Sequence, residues 1–192
     1  MISDFGLEYK KQTLLATKDF GFFYTLPSGE GRVGFMIRKL IHDDREQIQS
    51  ILIDTHHFND DEIKVAIELI DVYLNDAKQT DYIIYVIEND ETKQAAGYIC
   101  YGKRPLTDWT YDLYWIAVDP NIHGKGLGSQ LVKHMEDDLA GSGGKIILIE
   151  TSGKAEYENE RKFYTKNGYE VQTIIKDFYR RGDDLFIYRK YL

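Results

Sequence analysis

A glycine-rich loop between two predicted strands most constrains what this chain can fold into. The segment "YDLYWIAV" (111–118) predicts a long strand, and "NIHGKGLGSQLVKHMEDDL" (121–139) then packs three glycines into five residues before a helical pattern. The apolar stripe of that helix is Leu127, Leu131, Met135 and Leu139. After "GSGG" ends the helix, "KIILIE" (145–150) predicts a fully buried strand. Strand, helix and strand in this order indicate a parallel β-α-β unit.

The flanking segments extend this unit into a larger sheet. Apolar periodicity and turn residues predict a strand at 34–40, a helix within 42–58, a helix at 62–76 capped by 59–61, strands at 81–90 and 95–103, a helix at 157–167 stopped by Gly168, and strands at 169–179 and 184–192. The order is β, α, α, β, β, β, α, β, α, β, β. We therefore predict an α/β fold (an α+β mixed sheet) in which helices flank a central mixed β-sheet.

The chain is expected to form one domain, because it has 192 residues, 43% of them hydrophobic, only 3 prolines, and neither a linker nor a repeat. That domain spans 34–192, and 1–33 is an N-terminal extension that adds a strand or hairpin. The extension carries an aromatic cluster suited to packing, or to a substrate or homodimer contact, at Phe20, Phe22, Phe23 and Tyr24.

Composition narrows the function classes. A net charge of -8 disfavours a nucleic-acid partner, since phosphate backbones need a basic surface, and mildly favours an amine substrate. No apolar run approaches the ~18 residues of a membrane helix and no signal peptide is evident, so we expect a cytoplasmic protein with no membrane partner. Cys100, the sole cysteine, lies in an apolar strand, and the five histidines lack metal-ligand spacing; no metal is predicted.

The glycine loop predicts an anion site, most plausibly for phosphate. Glycine lets the backbone approach a ligand closely, and the free N–H groups at a helix start carry partial positive charge. The spacing excludes a Walker loop. A dinucleotide loop stays open, with Gly124 and Gly126 in place, Ser129 instead of the third glycine, and Glu150 as a ribose ligand. A tight turn without a ligand is the remaining alternative.

The stretch "WIAVDPNIHGKGLGSQLV" resembles the signature of the GCN5-related N-acetyltransferase (GNAT) superfamily, in which [RQ]-x-x-G-x-[GA] opens a helix after a strand. The signature maps onto residues 123–128. Downstream, "ENERKFYTKNGYE" is similar to the second landmark of that family, and the resemblance covers about 34–192 with the elements in matching order. His123 departs from the usual Arg or Gln, which bears on cofactor affinity rather than on cofactor identity.

The resemblance implies acetyl-CoA as the acyl donor. The loop is then expected to cradle its pyrophosphate, the preceding strand to offer backbone groups to the pantetheine arm, and an asparagine to bind that arm; Lys133 is a further residue that could meet phosphate charge. The implied cofactor-binding residues are Ile116, Ala117, Val118, His123, Gly124, Lys125, Gly126, Leu127, Gly128, Ser129 and Asn159.

The resemblance also implies two catalytic residues. An alkyl ammonium has a pKa near ~10, so a base must remove its proton before it attacks a thioester. Asp112 matches the place of the family carboxylate, and Tyr164 matches the tyrosine that protonates the leaving thiolate. With regular strand alternation, Asp112 would share a face with Tyr114, Ile116 and Val118. A solvent-facing aspartate and an aromatic anchor are the structural alternatives.

The expected reaction is acetyl transfer to a primary amine of a small molecule or amino acid by direct attack in a ternary complex. A non-catalytic acetyl-CoA-binding sensor or interaction module, and an enzyme for protein lysines or N-termini, stay open as alternatives. His56 and His57 lie where this family often walls the acceptor pocket, and Arg161 and Arg180 are candidates for binding an acceptor carboxylate.

Overall fold

A computed structural model describes residues 34–122 and 125–192, which build one seven-stranded sheet and the helices packed on it. The elements are β1 (Phe35–Lys39), α1 (Asp44–Asp54), α2 (Asp60–Asn75), β2 (Ile83–Asn89), β3 (Ala95–Lys103), β4 (Thr110–Val118), α3 (Leu127–Gly141), β5 (Ile146–Ser152), a 3₁₀ turn (Ala155–Tyr157), α4 (Glu158–Lys166), β6 (Glu170–Arg180) and β7 (Asp183–Tyr191). The predicted order of strands and helices is confirmed. The predicted extension at 1–33, with its aromatic cluster, lies outside the described residues.

The strands follow the order β1-β2-β3-β4-β5-β7-β6 across the sheet. Neighbouring strands are antiparallel except β4 and β5, which run parallel and are connected through α3. The β-α-β unit predicted from the glycine loop is therefore present at the centre of the sheet. It places the N-terminus of α3 beyond the carboxyl end of β4.

Two apolar cores cover opposite faces of the sheet. On one face, the stripe of α3 packs with Tyr164 of α4 onto the strands, and its four predicted members are all buried. On the other face, α1 and α2 pack only over β2, β3 and β4. Within residues 34–122 and 125–192, this second face therefore has no helix over β5, β7 and β6.

The uncovered face corrects the prediction that β5 is buried on both sides. Ile147 and Ile149 are buried under the α3 side, whereas Ile146 and Leu148 stay half-buried because α1 and α2 do not extend over them. β6, the edge strand, is exposed along its whole length. Local hydrophobicity predicted the strand correctly but not how far the helices would reach.

Helix ends follow their local sequence signals. Asn59 caps α2 through a capping box: its side chain accepts the Glu62 N–H at 3.0 Å, and the Glu62 carboxylate accepts the Asn59 N–H at 2.8 Å. After α4, Gly168 has a φ of 85°, the left-handed conformation that the prediction required.

Leu131→Ala tests the packing of α3. Because Leu131 is fully buried, the substitution is expected to lower the free energy of unfolding by about 2–5 kcal/mol through the cavity it leaves. Leu106→Ala is the matched control: that leucine is fully exposed, and the change should stay within about 0.5 kcal/mol. Denaturant unfolding of both variants measures the difference, and equal losses would contradict the assigned core.

Candidate functional site

The site begins at an irregularity in β4. Cys100 pairs with Trp115 and Tyr101 pairs with Leu113, so Tyr114 is an extra residue that forms a β-bulge. β4 pairs with β5 only as far as Leu113, while Glu150, Thr151 and Ser152 of β5 pair with β7 alone. From Tyr114 to Val118, the edge of β4 facing β5 thus has no strand partner among the described residues.

The bulge also changes which way side chains face. Leu113 belongs to the core under α3, whereas Trp115 and Ala117 belong to the core under α1 and α2. Regular alternation would place these three residues on one face. The expectation that Asp112 shares a face with Ile116 and Val118 is therefore wrong, because the extra residue Tyr114 reverses the alternation between them.

A cavity of about 1170 Å³ occupies the gap between the diverging strands. It extends from the N-terminus of α3, along the open edge of β4, to the carboxyl end of β5, the α1–α2 loop, α4 and the β6–β7 turn. Its volume is just above the range usual for small-molecule sites. The two ends of the cavity differ in chemistry.

The α3 end offers backbone donors. Gly126, the N-cap, has a φ of 67°, which costs glycine little, and no side chain caps the helix. Gln130 donates its N–H to the Gly126 carbonyl at 3.1 Å, but no described acceptor receives the N–H groups of Leu127, Gly128 or Ser129. These are the orphan donors of a helix start, where anions are stabilised.

Gly128 has a packing role in addition. A Cβ at this position would lie 3.2 Å from the Phe163 ring, so the glycine lets the start of α3 approach α4 closely. Leu127 buries its side chain in the core under α3 and faces the cavity through its backbone.

Most of the predicted cofactor-binding residues meet along this cavity. The residues that line it are Ile116, Ala117, Val118, Gly126, Leu127, Gly128, Ser129 and Asn159. His123 and Gly124 lie outside the described residues. Lys125 is not among the lining residues, since its Nζ sits over the Phe35 ring, 5.1 Å from the centroid, and Lys133 pairs with Asp137 on the surface of α3.

Tyr164 lines the cavity from α4 and is 8% exposed. Burial, and secondarily the carboxylate of Glu160 one turn earlier, raise the pKa of its phenol above the ordinary value. The phenol is therefore protonated throughout the neutral range, as a proton donor must be. Its ring packs against Phe163, Tyr169 and Tyr188, which fixes its position.

Asp112 does not line the cavity. Its Oδ1 accepts from Arg104 Nη1 at 2.7 Å, and its pKa is raised by burial, an effect that the Arg104 charge opposes. The same Nη1 lies 3.6 Å from Oε1 of Glu150, which does line the cavity. Sequence reasoning did not place Glu150 at this cavity. Its place at the carboxyl end of a parallel strand, where ligands of open α/β sheets bind, was the available signal.

The far end of the cavity joins the α1–α2 loop to α4. His57 Nδ1 lies 3.5 Å from Glu160 Oε1, and the Tyr157 hydroxyl donates to the His57 carbonyl at 3.2 Å. His57 lines the cavity as predicted for the acceptor wall, whereas the neighbouring His56 does not.

The two arginines proposed for a carboxylate differ in their contacts. Arg161 Nη1 donates to the carbonyls of Ser152 at 2.7 Å and Lys154 at 2.8 Å, so its guanidinium holds the connection between β5 and α4. Arg180 lines the cavity, and its Nε lies 3.5 Å from Asp183 Oδ2. Of these two arginines, only Arg180 lines the cavity in which a ligand would bind.

Other chemistries find little support in the part of the chain that is described. Within it, no group of three or more His, Cys, Asp or Glu residues has the arrangement of a metal site. Cys100 is buried and its thiol pKa is raised by burial, which makes it a poor nucleophile. No helix within residues 34–122 and 125–192 is long and apolar enough to cross a bilayer.

Comparison with known proteins identifies the family. The family model for the acetyltransferase (GNAT) domain matches residues 80–171. A crystal structure from Desulfovibrio desulfuricans, described as an acetyltransferase of the GNAT family, shares 36% identity, covers 82% of this chain and 98% of its own, and superposes with a TM-score of 0.78. This chain belongs to the GNAT family of acetyltransferases.

More distant structures agree in fold. The ribosomal-protein-S18-alanine N-acetyltransferase of Escherichia coli is 19% identical over 82% of this chain and 93% of its own, with a TM-score of 0.64. An aminoglycoside 6'-N-acetyltransferase in complex with coenzyme A is 14% identical over 81% of this chain and 96% of its own, with a TM-score of 0.61. Among curated proteins, no sequence matches this chain.

Family membership bears on the alternatives for the glycine loop. The GNAT match disagrees with a dinucleotide fold, and the mixed seven-stranded sheet and four α-helices of the described residues agree with the related structures. The resemblance read from the two sequence landmarks is confirmed.

Proposed function

We propose that this chain is an acetyl-CoA-dependent N-acetyltransferase that acetylates the primary amine of a small molecule by direct attack in a ternary complex. One observation carries the proposal: a single cavity is lined by the donor-rich start of α3, the open edge of β4, and the buried phenol of Tyr164. The start of α3 suits a diphosphate, the open edge of β4 suits an extended amide-bearing arm, and the Tyr164 phenol suits a leaving thiolate.

The residues present fit acetyl-CoA. The N–H groups of Leu127, Gly128 and Ser129 are available to bind phosphate oxygens, and a Cβ built on Gly126 meets no protein atom within 4 Å, so this turn is open. From Ile116 to Val118, the edge of β4 that faces away from β3 has no strand partner among the described residues, so the backbone groups on that edge are available to the pantetheine amides. When bound, acetyl-CoA supplies an activated acyl group. A coenzyme A complex of one fold relative supports this assignment.

The chemistry needs proton transfers but no enzyme nucleophile. A base removes one proton from the acceptor ammonium, the neutral nitrogen forms the new C–N bond, and the C–S bond breaks. In this proposal Tyr164 donates its phenolic proton to the departing sulfur, and the nitrogen loses its second proton to bulk water. The Tyr164 phenolate then regains a proton from solvent and the protonated base releases its own, so each acetyl transfer releases one proton in total. Burial raises the pKa of Tyr164, so the phenol carries its proton before the thiolate departs.

We propose Glu150 as the base in place of Asp112, the residue expected from the sequence. Glu150 lines the cavity and its side chain is 43% exposed, so it can reach an acceptor directly or through water. Asp112 forms an ion pair with Arg104 and does not line the cavity. Its role is then to neutralise part of the Arg104 charge beside Glu150.

Four expectations from the sequence stay predictions: the cytoplasmic location, a homodimer, the separate extension at 1–33 and the identity of the acceptor. Neutralisation of Arg180 by Asp183 gives less support to an amino-acid acceptor than to a simple amine.

A binding and turnover assay tests the proposal. Calorimetry should show that acetyl-CoA binds, and thiol release should be stimulated by at least one primary amine. Gly126→Ala should weaken acetyl-CoA binding about 5- to 30-fold, because a left-handed φ strains alanine, whereas Gly141→Ala, which has open space and no such φ, should not. Binding without turnover on any amine would indicate the sensor alternative. Absence of binding would reject the proposal.

Tyr164→Phe tests the proton donor. Removing the hydroxyl should lower kcat by about 10- to 1000-fold while acetyl-CoA affinity and unfolding stay near the parent values. Tyr188→Phe is a matched control, since Tyr188 contacts the same ring but does not line the cavity. Unchanged turnover of Tyr164→Phe would reject its assignment.

Glu150→Gln and Asp112→Asn separate the two carboxylates. Loss of a general base should reduce kcat about 10²- to 10⁴-fold at neutral pH in Glu150→Gln. Asp112→Asn should cost about 10-fold at most, because it acts through Arg104 alone. Steady-state kinetics with the best amine from the screen measures both, and the reverse ranking would restore Asp112 as the base.

A further inference from the structure

We propose that the acceptor is a diamine, and that Glu62 and Glu160 at the far end of the cavity bind its second ammonium. This inference rests on the proposed function, because it assigns the part of the cavity that the reacting amine does not occupy.

The carboxylates at the far end of the cavity, where the acceptor is proposed to bind, differ in whether a lysine or arginine neutralises them. Of the carboxylates that line it, Glu156 pairs with Lys154 at 3.3 Å, and Asp183 lies 3.5 Å from both Lys154 and Arg180. Lys166 also lines the cavity, and no salt bridge joins it to a described carboxylate. Apart from Glu150, which has Arg104 at 3.6 Å, the carboxylates that remain are those of Glu62 and Glu160.

Glu62 and Glu160 lack a permanent cation. Among the described residues, no lysine or arginine makes a salt bridge with either carboxylate. Glu160 Oε1 has only His57 near it, at 3.5 Å, and this is an ion pair only when His57 is protonated. Glu160 Oε2 is enclosed by the protein and accepts no hydrogen bond. A positive charge brought into the cavity would compensate this carboxylate.

Aromatic rings connect these carboxylates with Glu150. Burial and Glu62 raise the pKa of Tyr157 to about 12, with Glu156, Glu160 and Asp183 contributing. The pKa of Tyr179 is raised by burial, then by Glu150, Asp183 and Glu62. Tyr157 and Tyr179 both line the cavity together with these carboxylates. Aromatic rings and carboxylates in one cavity favour alkyl ammonium groups.

The arrangement separates two tasks along one cavity. Glu150, beside the open edge of β4, takes the proton of the reacting amine, while Glu62 and Glu160 hold an amine that stays charged. A monoamine leaves the carboxylates of Glu62 and Glu160 without a cation, and an ω-amino acid brings its own carboxylate toward them. Both are then poorer acceptors than a diamine of the same length.

The test compares a series of α,ω-diaminoalkanes with the matching monoamines and ω-amino acids. The diamine of best length should exceed its monoamine in kcat/KM by about 10-fold or more. Glu62→Gln and Glu160→Gln should reduce that ratio toward one. Gln keeps the shape of Glu and, at position 62, an oxygen for the cap of α2. Glu158→Gln, on α4 but outside the cavity, should keep the full ratio.

The outcomes separate the two proposals. Equal kcat/KM for monoamines and diamines, or a preference for ω-amino acids, would overturn the diamine inference and leave the acetyltransferase proposal intact. If no amine is acetylated, calorimetry of diamine binding in the presence of coenzyme A decides: binding that Glu62→Gln and Glu160→Gln abolish would support the inference without the activity. No binding would overturn it.

Discussion

The site depends on the separation of β4 from β5 beyond Leu113. A continuous parallel ladder would use the backbone groups from Tyr114 to Val118 and close the gap between the strands. The extra residue Tyr114 reverses the side-chain alternation of β4 at the point where its pairing with β5 stops, and β5 continues by pairing with β7 instead. An edge of unpaired backbone inside a folded domain is otherwise costly, so its persistence here agrees with a site that an amide-bearing ligand completes.

The electrostatics of the cavity follow from this geometry. At one end, the backbone N–H groups at the start of α3 attract an anion, which matters in a protein whose net charge is -8. At the other end, carboxylates outnumber the cations that could neutralise them. A polyanionic donor and a cationic acceptor would thus be bound from opposite ends and meet near Tyr164. The two ends differ in sign, and in the proposed reaction that difference would orient both substrates.

Comparison of sequence and structure shows where local reasoning succeeds. The helix stripe containing Leu131, the capping box at Asn59 and the left-handed Gly168 were all predictable, because each depends on residues within a few positions of one another. The face of Asp112 and the exposure of β5 were predicted wrongly. One depended on a single inserted residue in β4, and the other on how far two helices extend across a sheet.

The sequence by itself determined the element order, the glycine turn before α3 and the two landmarks that assign the family, since periodicity and short motifs are local properties of the chain. Only the tertiary structure decided that Glu150 and not Asp112 lines the cavity, that Arg161 is engaged in backbone contacts while Arg180 is not, and that Glu160 lies beside His57. Residues that are far apart in the chain come together through strand pairing and helix packing. Their contacts, exposure and charge balance are therefore properties of the assembled fold and not of any one segment.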